Sequence, residues 1–154
     1  MMPICFVVML ILLAIAVIDL KTREIPDKLI IALIPFAIAA IWAQPEISLL
    51  SRLIGFFAVS LPMLLLALAI KGAFGGGDIK LMAVCGFLLG WQNTVFAFFI
   101  ALLLGGGFAM YLILSGKRSR KDQMVFGPAL CIGIVFALLF GEKIIAWYMA
   151  LFGN

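Results

Sequence analysis

Gly75-Gly76-Gly77-Asp78-Ile79-Lys80-Leu81 interrupts an otherwise apolar sequence with three glycines, an acid and a lysine. On either side, residues 61–70 and 81–89 have the composition of a membrane interior. An ionisable group at the edge of lipid is costly, which makes Asp78 a functional candidate by default. The glycines admit backbone shapes that other residues resist, and they let a second backbone come close.

The whole chain fits this reading. Of its 154 residues, 67% are hydrophobic and 12% charged, against roughly 45–50% and 25% in soluble domains. A spanning helix needs about 20 apolar residues, so the length accommodates a bundle of six transmembrane helices joined by short loops. The expectation is an all-α integral membrane protein with a single domain over residues 1–154. A strand barrel is disfavoured because the apolar runs are continuous rather than alternating. The sequence has no histidine, which removes Ser-His-Asp triads, Cys-His dyads and histidine-ligated zinc. Cys5, Cys85 and Cys131 stand singly in apolar runs, as packing residues do, with no disulfide or metal spacing. Neither metal nor cofactor is called for. The net charge of +4 reports topology in such a chain rather than nucleic-acid binding.

The six predicted spans are residues 3–20, 29–43, 49–70, 79–89, 94–114 and 126–140, with Pro35 and Pro62 inside the second and third. The first is a helix rather than a signal peptide: it has no basic start and no small-residue cleavage pattern, and it ends on Asp19 and Lys21. The fourth is short unless its helix begins within the glycines. Residues 144–152 either extend the last span or lie in the interface. With alternating spans, one side carries Lys21, Arg23, Lys28, Lys71, Lys80, Lys117, Arg118, Arg120 and Lys121; the other carries Arg52 and Lys143. Nine against two is a strong positive-inside signal, placing both termini outside and both Asp19 and Asp78 at the cytoplasmic edge.

Two carboxylates at one depth on different helices can converge, although 59 positions separate them. Like charge then opposes ionising both. One is suited to act as general base on a water, and the other to protonate the carbonyl or leaving amine, as in aspartic proteases. Asp78 at a helix N-terminus favours the ionised form and Asp19 at a helix C-terminus the protonated one. Plainer roles stand beside this. Asp78 fits an N-cap, and Asp19 fits an interface acid paired with Arg23. Lys80 fits a snorkelling positive-inside residue or a substrate contact. Glu24 and Asp27 fit solvated loop acids. A proton- or ion-coupled carrier using the same two acids, or a non-catalytic membrane subunit, are the competing functional classes.

The glycine stretch resembles the GxGDxKL signature of the type IV prepilin peptidases. Asp19, followed by Arg23-Glu24-Ile25-Pro26-Asp27-Lys28-Leu29, is similar to that family's first motif, and Phe126-Gly127-Pro128-Ala129-Leu130 to its third. The motifs come in the family's order and span essentially the whole chain. The resemblance implies a membrane aspartic endopeptidase with Asp19 and Asp78 catalytic and Gly75, Gly76, Gly77 and Lys80 in a catalytic, substrate-binding loop. It implies cleavage of the basic leader of prepilin or pseudopilin precursors, after glycine, at the cytoplasmic face of a bacterial inner membrane. Partners would be that precursor and membrane lipid, with no nucleic acid. The sequence lacks the CxxC-bearing region of methylating relatives, so it resembles the short Tad-type peptidases and methyl transfer is not expected.

Overall fold

A computed structural model of the chain describes residues 2–70, 72–116 and 126–152. Every regular element among them is helical: α1 (Met2–Thr22), α2 (Asp27–Ala43), α3 (Leu49–Ala58), α4 (Ser60–Ala69), α5 (Gly76–Leu89), α6 (Trp91–Leu114) and α7 (Gly127–Phe152). Four stretches are long and apolar enough to cross a membrane: Pro3–Thr22, Leu49–Ala69, Trp91–Leu114 and Gly127–Tyr148. Their outer faces expose large apolar side chains such as Leu68, Phe99 and Leu103, a surface suited to lipid and not to water. The chain is a multi-pass membrane protein. The expected six spanning helices become four of spanning length and two shorter ones, α2 of 17 residues and α5 of 14.

Local sequence explains these bounds. The expected span at 49–70 is divided at Val59, three residues before Pro62. A proline cannot donate to the carbonyl four residues back, and its ring crowds that carbonyl. Pro35 stays inside α2. The connector after α1 turns through Arg23 in the left-handed region (φ 58°), and α2 starts after Pro26, whose fixed φ suits a helix start. α5 begins within the glycines, as its short apolar run requires. Residues 144–152 continue α7 as one helix.

α5 is the centre of the bundle. It packs against α2, α3, α4, α6 and α7, and eight of its residues are buried, from Asp78 to Leu89. A side chain at Gly55 or Gly86 would strike the facing backbone where α3 crosses α5, the close approach that small residues permit between membrane helices. The three cysteines are free thiols.

Arg52 departs most from its expected role. It lies at the end of the bundle opposite the acids, but its side chain is fully buried instead of exposed. Nη1 donates to the carbonyls of Phe87 (3.2 Å) and Leu88 (2.9 Å), and Nη2 to those of Ala40 (2.8 Å) and Gln44 (3.0 Å). Those of Phe87 and Leu88 end α5, where a helix leaves acceptors unpaired. Those of Ala40 and Gln44, at the end of α2, also accept the N–H groups of Gln44 and Ile47, and both helix ends favour a cation. Arg52 thus clamps two short helices together at the end of the bundle away from the acids. Of the other basic residues in the topology count, Lys71, Lys117, Arg118, Arg120 and Lys121 lie outside the described residues. Lys21, Arg23, Lys28 and Lys80 lie at the acid end, and all four are exposed.

Arg52→Met removes four charge-assisted donors from buried carbonyls, each worth about 1.5–3 kcal/mol when made to a charged group. Allowing for partial relaxation, the loss expected is about 3 kcal/mol of stability. Denaturant or thermal unfolding in detergent measures it, with Lys143→Met, at an exposed position, as the neutral comparison.

Candidate active site

Asp19 lies one turn before the end of α1 and Asp78 in the first turn of α5. Both are buried, at 5% and 8% exposure. They line one cleft of about 770 Å³, together with the connector 22–28 and Gly75, Gly76 and Gly77. That volume lies within the roughly 300–1,000 Å³ usual for ligand sites. The two carboxylates are close enough to interact as like charges, and the buried Cys131 thiol lies within electrostatic reach of both.

Each acid is held by backbone. Asp78 occupies the third position of α5 and accepts the Gly75 N–H through Oδ2 at 3.2 Å. This is the acidic half of a capping box: the N-cap of α5 is Gly75, not Asp78 as the sequence suggested, and Asp78 reaches back to it from the third helical position. Its Oδ1 is buried with no hydrogen-bond partner among the described residues, and so is Oδ2 of Asp19. Buried polar atoms in native structures are overwhelmingly paired. Two unpaired acceptors lining one cleft therefore mark a place built for something else to donate.

Asp19 has a partner that sequence reasoning did not single out. Gly127, the first residue of α7, interacts through its backbone with the Asp19 carboxylate. A Cβ on Gly127 would lie 2.8 Å from Asp19 Cγ and closer still to Oδ2. Glycine is the residue that leaves the carboxylate its seat. The signals in the sequence were the resemblance of Phe126-Gly127-Pro128-Ala129-Leu130 to a family motif and a glycine before Pro128 at a helix start, and neither pointed to Asp19. The finding alters the electrostatics, because Asp19 stands against the positive N-terminal end of α7 as well as near the end of α1. Both acids face helix N-termini, and the dipole argument for a fixed division of roles between them loses its asymmetry.

The glycine loop fits closely for a related reason. A Cβ on Gly77 would lie 2.7 Å from Ile25 Cβ, whereas one on Gly76 would meet nothing within 4 Å. Gly77 thus sets how near the loop comes to the connector. Lys80 does not line the cleft. It donates to Asp27 at 2.9 and 3.0 Å, in an exposed ion pair joining the first turns of α5 and α2. Among the described residues no ion pair joins Asp19 to Arg23. Glu24 and Asp27 border the cleft.

Comparison with known protein families matches residues 6–110 to the type IV leader peptidase family, a stretch that contains both acids and the glycine loop. Among curated proteins, the prepilin leader peptidase/N-methyltransferase of Bacillus subtilis is 36% identical over 138 residues, covering 90% of this chain and 56% of the relative. The protein of that name from Legionella pneumophila is 32% identical over 145 residues, covering 90% and 50%. The one from Pectobacterium carotovorum is 35% identical over 135 residues, covering 83% and 48%. The chain spans about half the length of these relatives. No solved structure matches it.

Gly77→Val forces side-chain carbons into Ile25, an overpacking that costs about 1–3 kcal/mol. Gly76→Ala meets open space. Unfolding in detergent is expected to separate them, with the valine variant clearly less stable and the alanine variant close to the parent.

Proposed function

The chain belongs to the type IV leader peptidase family, and we propose that it is a membrane aspartic endopeptidase that removes the leader from prepilin-like precursors. One observation carries the reading. Two acids 59 positions apart line one cleft, and each keeps a buried carboxylate oxygen without a partner among the described residues.

The chemistry follows from the pair. With one proton shared between them, the ionised carboxylate takes a proton from a water, and the water oxygen attacks the scissile carbonyl carbon. The protonated carboxyl donates to the carbonyl oxygen. Collapse of the tetrahedral intermediate breaks the C–N bond, and a proton passes to the leaving amine. The pair ends with one proton, as it began. Because the two carboxyl groups interact as like charges, the pair titrates as a unit, and with both held at helix N-termini the dipoles do not by themselves assign the parts. The backbone contacts at Gly75 and Gly127 keep the acids in place, and such positioning supplies much of the rate.

The substrate reading is that a prepilin, an apolar helix preceded by a basic leader, lies in the same bilayer and meets the cleft after its glycine. Six helices would cross the membrane, α2 and α5 as short members, with both termini outside and the cleft at the cytoplasmic face of a bacterial inner membrane. Residues 1–154 would form one peptidase domain. The exposed Lys21, Arg23, Lys28 and Lys80 at the acid end support that orientation through the positive-inside rule. Gly75, Gly76 and Gly77 would border the leader. Lys80 would act through Asp27, fixing α5 against α2, rather than by touching substrate. The relatives' name couples peptidase with N-methyltransferase; the peptidase is the activity proposed here.

Co-expression with the cognate prepilin should yield a shortened product on a gel. Asp19→Ala and Asp78→Ala should each slow cleavage at least ~100-fold, the scale of general acid–base catalysis. Gly127→Ala, which displaces the Asp19 carboxylate, should lower the rate by about 100-fold at unchanged membrane abundance. Intact prepilin with the parent enzyme overturns the reading.

A further inference from the structure

A second hollow runs down the bundle from the active-site end. α1 and α7 lie side by side and antiparallel: Asp19 touches Gly127 at one end, and Cys5 lies within electrostatic range of Glu142 at the other. Between them is a groove of about 430 Å³ whose lining is almost wholly apolar. Its walls are Phe6, Leu10 and Leu13 of α1 and Ile132, Phe136 and Leu139 of α7, all of them substantially exposed. Its floor includes the buried Leu12 and Cys131.

The position of the groove gives it meaning. Phe6, Leu10, Leu13 and Ala16 recur at the three- and four-residue spacing of one helix face. From Phe6 to Ala16 that face runs about 15 Å, at about 1.5 Å per residue. Ala16 is three residues, under one turn, before Asp19. Cys131 is four residues, about one turn, after Gly127. The groove therefore ends within about one helical turn of the cleft, although the two hollows share no lining residue. Their chemistry differs. The groove is apolar, while the cleft carries Asp19, Glu24, Asp27 and Asp78 against Arg23 and Lys28. Asp27 is held by Lys80, and with one proton shared by Asp19 and Asp78 the remaining acids and bases of the cleft balance, so it is the polar and charged lining rather than a net charge that suits a hydrophilic segment.

We propose that the α1–α7 groove seats the apolar helix of the membrane-anchored substrate, so that the basic segment preceding that helix crosses the cleft with its scissile bond at Asp19 and Asp78. The inference rests on the peptidase reading and specifies where the substrate lies. A helix laid along the groove is held at fixed depth and in fixed rotation by ridges entering a hollow. Only its end reaches the acids, so the first bond outside the helix is presented and those within it are not. Binding here depends on apolar contact along about ten residues of α1, and the groove acts on KM more than on the chemical step.

The test uses the full chain in membranes with a cognate prepilin. Ile132→Trp and Leu13→Trp place a large side chain in the groove at lipid-exposed positions, where the fold tolerates it. Leu103→Trp on α6 is the comparison, since Leu103 is also exposed but lies outside both hollows. The groove variants are expected to raise KM for the prepilin about 10-fold or more with kcat within about twofold, and Leu103→Trp to leave both unchanged. In the Asp78→Asn background, which retains uncut substrate, a cysteine at Ile132 should cross-link to a cysteine in the substrate helix, and one at Leu103 should not. Unchanged KM in both groove variants, or equal cross-linking at the two sites, overturns the inference while the peptidase reading stands. No cleavage by the parent enzyme overturns the peptidase reading instead.

Discussion

A polar group buried in hydrocarbon without a partner costs several kcal/mol, because no water is there to bond it. This bundle meets that constraint in opposite ways at its two ends. Away from the acids, the carbonyls that close α2 and α5 are collected by the guanidinium of Arg52. At the acid end, one Asp78 oxygen is bonded to Gly75 and the Asp19 carboxylate is seated on Gly127. One oxygen of each acid nevertheless has no partner among the described residues. Among the described residues, unpaired buried atoms remain at both ends, Arg52 Nε and Asn93 Oδ1 as well as the two carboxylate oxygens, and what sets the acid end apart is that its two open acceptors line one cleft.

The two ends are connected by α5. Its first turn carries Asp78 and its last turn is held by Arg52, with the Gly55–Gly86 contact between them. A helix of only 14 residues needs such anchors, since its own hydrogen bonds give little stability at that length. Fixed at both ends, α5 holds Asp78 at constant depth. α1 and α7 then bring Asp19 near it and leave between themselves an apolar groove that ends about one helical turn from the acids.

Much of this was legible in the chain. The helical membrane class followed from composition, and the glycine run marked the start of α5. Asp19 and Asp78 could be singled out as rare acids at span ends. Three features were not legible, each for a physical reason. Arg52 looks like any basic residue near a span end, and only tertiary packing shows that its partners are carbonyls 8 to 36 positions away. Gly127 reads as a helix start before proline, because its value lies in the atom it lacks and in which carboxylate fills the space. Which helices reach spanning length was not legible, since apolar runs do not distinguish a helix facing lipid from one enclosed by its neighbours. α5 is the second kind.

The central claim is that Asp19 and Asp78 act as one proton-sharing pair. The pH dependence of kcat/KM for the parent enzyme with its cognate prepilin tests it most directly. A shared pair gives a bell: the rate falls on the acid side as the base takes up a proton and on the alkaline side as the acid loses its own. A profile with a single limb, or one flat across the range in which carboxyl pairs titrate, would contradict the account.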